Sequence, residues 1–395
     1  MTMPSTPASR LYFLDWLRIA AFGLLIAYHV GMYYVSWDWH VKSPDAGPAL
    51  EPWMRMSSPW RLSLLFLVSG AATSMMLLRG AGAAFVRSRS KRLLLPLVFG
   101  MLVIVPPQPY FEVVYKAGYA GDYIDFLRLY FTGYGGFCRN GNCLVLPTWN
   151  HLWFVVYLWV YSVLLWALLR LRPDALDALG RIVARALAGP GLIALPIAAL
   201  SLVRIALAAH FPSTHALVDD WFNHAMYFGM FVTGAVFARL PDVWRRLAQW
   251  RWFGLAVAAA AWVLIYLYAG SYNAKTAPEW LRVVYASMQW CAIVAAIGFA
   301  HRHLNRDHRW RRYLTEAVFP VYIVHQTLII VLTQLLAPLR WSPALEGPLL
   351  VTATFALSFA SFEVVRRVRT LRPWFGLGPL PAAQVGAQPR EVAAM

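Results

Sequence analysis

Two apolar stretches of the chain carry side chains that could move a proton. The first begins Leu14-Asp15-Trp16-Leu17-Arg18 and runs almost uninterrupted to Tyr28-His29; the second is Pro320-Val321-Tyr322-Ile323-Val324-His325-Gln326. A titratable side chain inside an apolar segment is costly, so each is a candidate functional group. Asp15 and Arg18, three apart, share a helix face and can pair. His29 lies fourteen residues beyond Asp15, about 21 Å along a helix axis. Asp15 therefore cannot orient the His29 imidazole, and any partner for that ring must come from another helix. A lone histidine in such a place serves equally well as hydrogen-bonding glue between helices.

A second kind of chemistry is suggested by Arg87-Ser88-Arg89-Ser90-Lys91-Arg92, which leads into Pro96. Arg89 and Arg92 are three apart at a helix start, so both guanidiniums project from one side. Planar, multi-donor guanidiniums suit phosphate oxygens, and a helix N-terminus adds backbone donors. Taken alone, the cluster reads better as topology charge facing anionic lipid. Gln108, Tyr110 and Glu112 follow Pro106-Pro107, and Trp149, Asn150, His151 and Trp153 open a later apolar run. These lie at a depth similar to His29, so Tyr110, Glu112, Trp149 and His151 could build an acceptor pocket with it. The tryptophans serve equally as interfacial anchors. Asp15 and, near the end of the last apolar run, Glu363 are expected in structural roles. No Cys/His spacing suggests a metal site.

These positions imply a membrane. Of the 395 residues, 60 % are hydrophobic and 13 % charged, whereas a soluble domain has about 25 % charged residues. A net charge of +17 raises nucleic acid as a partner, but the cations recur in short bursts between apolar runs, as topology requires. Nucleic-acid binding is excluded on that ground. A crossing helix needs about 20 apolar residues, which places ten spans near 11–35, 60–79, 93–112, 150–170, 188–209, 220–239, 252–270, 281–300, 315–337 and 347–366. The expected fold is an all-α, polytopic membrane helix bundle over residues 1–372. Roughly two-thirds of the Lys and Arg fall in segments on the N-terminal side of the membrane, which puts both termini in the cytoplasm.

The longest segment on the other side, 113–149, carries Cys138 and Cys143, for which a small disulfide and two free thiols are equally open readings. Cys291 lies in an apolar span and reads as a small core residue. The Pro/Ala/Gly/Gln-rich residues 373–395 are expected to be a disordered cytoplasmic tail. The first run, with Asp15 and Arg18 inside it and more spans following, is no cleavable signal peptide.

The ordered set Leu14-Asp15-x-Leu17-Arg18 with Tyr28-His29, Phe66-x-x-Ser69-Gly70, Arg89-x-x-Arg92, Leu152-Trp153-Phe154 and Tyr322-Ile323-x-His325 resembles the acyltransferase 3 family of integral membrane acyltransferases over essentially the whole chain. With Val105-Pro106-Pro107-Gln108-Pro109-Tyr110 and the long following loop, it looks like the glucan-biosynthesis branch. The resemblance implies an enzyme of the cell (inner) membrane that moves an acyl group, succinyl or acetyl, from cytoplasmic acyl-CoA to a hydroxyl of an extracytoplasmic glycan such as a periplasmic glucan. Acyl-CoA would be a co-substrate, with no permanently bound cofactor. The expected partners are acyl-CoA, the glycan acceptor, membrane lipids and other copies of the chain. The family's proposed catalytic histidine falls on His29, its first-span arginine on Arg18 and its arginine pair on Arg89 and Arg92.

Joined to the residue chemistry, this gives the donor's phosphates to Arg89 and Arg92, with Arg87 alongside. His29 becomes the base for the acceptor hydroxyl, and Arg18 stabilises charge at the thioester oxygen with His325 as a further partner. A transporter or flippase for a lipid-linked glycan is the competing class, compatible with Pro-broken spans and intramembrane charge. It leaves the arginine pair without a coenzyme to explain it.

Overall fold

The computed structural model describes residues 11–379, apart from 79, 81, 140 and 274. Its architecture is helical because a backbone in hydrocarbon must satisfy its own hydrogen bonds. Helix α1 (Tyr12–Tyr34) is followed by the short α2 (Glu51–Ser57) and by α3 (Arg61–Leu78). Helix α4 (Ala83–Phe99) widens into a π-turn at Gly100–Ile104 and meets α5 (Pro107–Ala117) at a bend of 46°. Consecutive prolines at 106 and 107 withhold two amide donors there, which breaks the helix. The segment beyond holds α6 (Tyr123–Phe131) and a two-stranded ribbon, β1 (Cys138–Arg139) with β2 (Asn142–Cys143). Cys138 and Cys143 are disulfide-bonded across that ribbon.

Helix α7 (Trp153–Leu171) precedes α8 (Ala175–Ala186), which turns by 111° into α9 (Gly191–Leu207). Then come α10 (Trp221–Phe237), α11 (Pro241–Gln249), α12 (Arg251–Tyr268), α13 (Glu279–His303), α14 (Arg309–Leu336) and α15 (Pro343–Arg367).

Among the described residues, seven helical runs are long and apolar enough to cross a bilayer, and nine if each bent pair is one span. Each of the ten expected spans holds a helix. The tenth is α10, whose 17 residues cover about 25 Å, slightly under the hydrocarbon thickness. The chain is thus an all-α, multi-pass membrane bundle.

Helix α1 sits in the middle, against α3, α13, α14 and α15. Its Phe13, Leu17, Ala21, Leu25 and Ile26 are buried in the main core. Helices α3 and α10 approach backbone to backbone. A Cβ at Gly70 would lie 1.8 Å from the Phe231 carbonyl oxygen, and one at Gly234 would lie 1.8 Å from that of Leu67.

The expectation of a disordered tail from 373 is corrected for its first residues. Arg372–Phe375 forms a 3-10 turn, and Phe375 is buried against Phe99 with ring centres 5.4 Å apart. Arg372 binds this turn down by donating to Glu316 Oε1 at 3.0 Å and to the carbonyls of Arg366 and Gly378, each at 2.6 Å. Residues 380–395, and with them most of the expected tail, lie outside the described residues.

Candidate active site

His29 stands in the last third of α1, and its ring is met from α14 by His325. His29 Nδ1 and His325 Nε2 are 2.9 Å apart, while His325 Nδ1 lies 2.6 Å from the Tyr322 carbonyl oxygen. That geometry fixes the protons. A carbonyl only accepts, so His325 Nδ1 carries hydrogen and donates to it, and in the neutral ring His325 Nε2 is then an acceptor. His29 Nδ1 must be the donor between the two rings, which leaves His29 Nε2 with a free lone pair.

His29 forms part of the wall of a chamber of about 610 Å³, whereas His325 is fully buried behind it and off the wall. His325 therefore sits where it can position His29 rather than touch a substrate.

His40, Glu112, Lys116, Asn150, His151 and Gln326 of the wall belong to a hydrogen-bonded polar lattice joined by Gln108, which lies off the wall. His151 Nε2 donates to the Ile323 carbonyl at 3.1 Å, so its Nδ1 accepts from Gln108 Nε2 at 3.3 Å. Gln108 Oε1 accepts from Asn150 Nδ2 and Gln326 Nε2, both at 3.0 Å. Gln326 also donates to His40 Nε2 at 3.0 Å, so His40 Nδ1–H points to Glu112, which further accepts from Lys116 at 3.0 Å. With each donor and acceptor assigned, such a lattice holds its side chains in one arrangement.

Trp149 and Trp153 face the chamber with Trp39, and a connecting loop packs over them. His215 stacks on Trp153 with ring centres 4.3 Å apart, and its carbonyl accepts from Trp149 Nε1 at 3.1 Å. The loop is gathered around buried Asp220, which accepts from the Thr214 and His215 amides and from Asn223, as well as from the Tyr157 hydroxyl. Burial in this loop pushes the His215 imidazole below its ordinary value, against the opposing pull of Asp220.

Of the expected acceptor-pocket residues, Glu112, Trp149 and His151 lie on the chamber wall. Tyr110 does not. It turns into an aromatic cluster with Phe111, Tyr123 and Phe126, ring centres 5.1–5.5 Å away.

At the opposite end of the bundle the arginines gather. Arg89 Nε donates to Ser162 Oγ of α7 at 3.2 Å, and Arg18 and Arg92 are both within Coulombic range of it. Arg92 and Lys91 line a cavity of about 830 Å³ with Thr315, Glu316, Phe319 and Arg369. Arg87 is exposed and is not part of that wall.

Arg18 is paired with Asp15 at 3.3 Å, and Asp15 also holds Arg311 of α14 at 2.7 Å. His29 lies eleven residues beyond Arg18 on the same helix, about 16 Å along the axis. Arg18 therefore cannot reach a group held at His29, contrary to expectation, and belongs to the basic cluster. Glu363 accepts from the Tyr313 hydroxyl at 2.9 Å and pairs with Arg366 and Arg367. Asp15 and Glu363 thus both tie helices together.

Each cavity is lined by an aromatic ring of α14, the two rings one helical turn apart. Phe319 lines the basic cavity and Tyr322 the His29 chamber, with ring centres 6.3 Å apart. Phe22 of α1 abuts Tyr322 at 5.4 Å. Pro320 lies between the two aromatics, where it removes one backbone hydrogen bond of the helix.

The model of an acyltransferase domain, acyltransferase 3, matches residues 11–363. The chain belongs to the acyltransferase 3 family, and is a multi-pass membrane acyltransferase. It is similar to the glucans biosynthesis protein C of Escherichia coli strains SMS-3-5 / SECEC and K12. Each is 24 % identical to it over 393 residues, which cover 96 % of this chain and 97 % of the relative. No solved structure matches.

Proposed function

We propose that the chain transfers an acyl group, succinyl or acetyl, from acyl-CoA held at the basic cavity to a glycan hydroxyl bound in the His29 chamber. The basic end is the cytoplasmic one, as the distribution of cations requires, so both termini lie in the cytoplasm and the chamber opens outside the inner membrane. The observation that carries this reading is the free lone pair left on His29 Nε2 by the His325 contact, on a residue that lines a chamber with three tryptophans on its wall. Tryptophan faces suit the apolar faces of sugar rings, and the amide and imidazole lattice suits their hydroxyls. The glycan assignment is supported further by the name of the relatives, glucans biosynthesis protein C.

The donor's phosphates sit against Lys91, Arg92 and Arg369, with Arg89 behind them. The pantetheine arm passes the Phe319 and Tyr322 rings and brings the thioester to His29. His29 Nε2 takes the proton of the acceptor hydroxyl as its oxygen attacks the thioester carbonyl. The new C–O bond forms, the C–S bond breaks, and the same Nε2–H returns its proton to the departing sulfur. While His29 is charged, its Nδ1–H remains donated to His325 Nε2, the way a carboxylate steadies a catalytic imidazolium elsewhere.

The test is transfer of labelled acyl from acyl-CoA to a glucan oligosaccharide by purified protein in nanodiscs, read by mass spectrometry. Wild type should give an O-acyl glucan, and His29→Ala should give none above background at equal folded protein. Glucan crossing the membrane without acylation would overturn the reading in favour of a flippase.

A further inference from the structure

The chamber wall also holds a cation that the transfer reaction above leaves unused. Arg61, the first residue of α3, is 3 % exposed. Its Nη1 donates to Ser57 Oγ at 3.2 Å, and its guanidinium carbon lies 3.6 Å from the centre of the Tyr28 ring. Its Nε–H is buried without a hydrogen-bond partner. The groups facing it are the phenols of Tyr28 and Tyr227 rather than carboxylates. Glu51, in the preceding helix, is taken up by Arg55 at 3.0 Å and by the Ser36 hydroxyl.

A guanidinium withdrawn from water with no counter-ion is strongly unfavourable, and an anion that completes its hydrogen bonds relieves that cost. Arg204 is half-buried, but its Nη2 is engaged by Gln289 at 2.7 Å and it lies outside the chamber wall. Arg61 differs in opening onto the space where the substrates meet.

We propose that Arg61 is an anion-binding site of the chamber and takes a carboxylate carried by one of the two substrates. The inference rests on the acyl-transfer reading. The Tyr28 and His29 ring centres are 6.2 Å apart, so the guanidinium carbon is no farther from the His29 ring than that distance plus its own 3.6 Å to Tyr28. A four-carbon dicarboxyl chain spans about 4 Å between its end carbons, and a hydrogen-bonded contact at each end adds about 3 Å. An acyl chain whose reacting carbonyl stands at His29 can therefore rest a second carboxylate on Arg61. A carboxylate on the acceptor glycan is the other source of the same chemistry.

Wild type, Arg61→Gln and Arg61→Lys in nanodiscs are compared with succinyl-CoA and acetyl-CoA on a neutral glucan, and with acetyl-CoA on plain and carboxymethyl glucan. Arg61→Gln should lower kcat/KM for succinyl relative to acetyl transfer by about ten- to a hundredfold, with Arg61→Lys between it and wild type. A loss confined to carboxymethyl glucan supports the site and assigns the carboxylate to the acceptor. Equal loss in every arm, or no loss in any, overturns it.

A binding measurement separates this proposal from the transfer reading. Monoethyl succinate should raise the melting temperature of wild type and not that of Arg61→Gln, or raise it less in Arg61→Lys if the glutamine variant does not fold. An equal shift in wild type and variant overturns the proposal even if transfer is confirmed. Should wild type use neither donor, the transfer reading fails, and the half-ester shift still decides whether Arg61 binds a carboxylate.

Discussion

His325 Nε2 stands 2.9 Å from His29 Nδ1, and its other ring nitrogen is spent on a backbone carbonyl of its own helix. Two histidines in this relationship are not interchangeable, because only His29 reaches the chamber wall. A base contributes about a hundred- to ten-thousandfold to proton transfer, and an orienting partner to its imidazole about ten- to a hundredfold. His29→Ala should therefore lower kcat about a thousandfold. His325→Gln, which can still accept from His29 Nδ1–H, should lower kcat by about tenfold with donor and acceptor KM unchanged. Steady-state kinetics on both variants checks this. Equal losses in the two would mean that His325 itself touches the reacting groups.

Arg89 and Arg92 are set apart by their surroundings, since Arg89 is pinned to Ser162 and Arg92 opens on the basic cavity. Arg92→Ala should raise the donor KM about tenfold and should flatten the dependence of that KM on added salt, because phosphate contacts are screened. Ser162→Ala frees the Arg89 Nε–H and should have a smaller effect than either arginine change. Donor KM measured across a salt series checks the order Arg92, Arg89, Ser162.

The spans and the lone titratable groups within them were readable from the chain because the bilayer dictates both: a fixed hydrophobic length and a penalty on every charge. That is why His29 and His325 stand out in the sequence, whereas the arginine pair, between two spans, stands out only by its spacing. Their assembly was less readable. His29 demanded a partner from another helix, but only the structure shows that His325, 296 residues away, supplies it. His40 and Arg61 lie at or beyond the ends of apolar runs, where a cation or histidine carries no penalty, yet the 35–60 segment folds over the chamber and buries Arg61. The Gln326–His40 contact spans 286 residues, and no local pattern encodes it. Tyr110 turns away from the chamber, because a break at two prolines resets the helical face that follows. The 111° turn between α8 and α9 likewise left no mark in hydropathy, which measures length and not direction.

The loop over Trp149 and Trp153 gives the acceptor side a pH dependence of its own. Burial holds the His215 imidazole below the ordinary histidine value of 6.5, so the packed loop favours the neutral ring. The loop's stability is then fully present above pH 6.5 and falls as the pH drops from there toward the depressed value. Acceptor KM should rise between pH 7 and pH 5, while donor KM stays level. His215→Asn should remove that rise and leave the pH profile of kcat as in wild type. An unchanged acceptor KM profile in His215→Asn would assign the acid sensitivity to another group.

Packing at the α3–α10 crossing yields a prediction independent of catalysis. A side chain at either Gly70 or Gly234 would place its Cβ 1.8 Å from a carbonyl oxygen of the other helix. Because the obstructing atom is backbone in both cases, no rotamer change relieves the clash, and the helices must separate. Small residues set how closely membrane helices approach, and overfilling such a contact costs about 1–3 kcal/mol. Gly229 lies on α10 as well, yet a Cβ there would meet nothing within 4 Å. Gly70→Ala and Gly234→Ala should each lower the melting temperature in detergent by several degrees, and Gly229→Ala should leave it unchanged or raise it, since alanine suits a helix better than glycine. Because Leu62 and Leu65, on the same helix as Gly70, line the chamber, the two destabilised variants should also lose acyl transfer in proportion to their loss of folded protein. Equal melting temperatures for Gly70→Ala and Gly229→Ala would show that the two backbones do not approach as closely as 1.8 Å to an added Cβ implies.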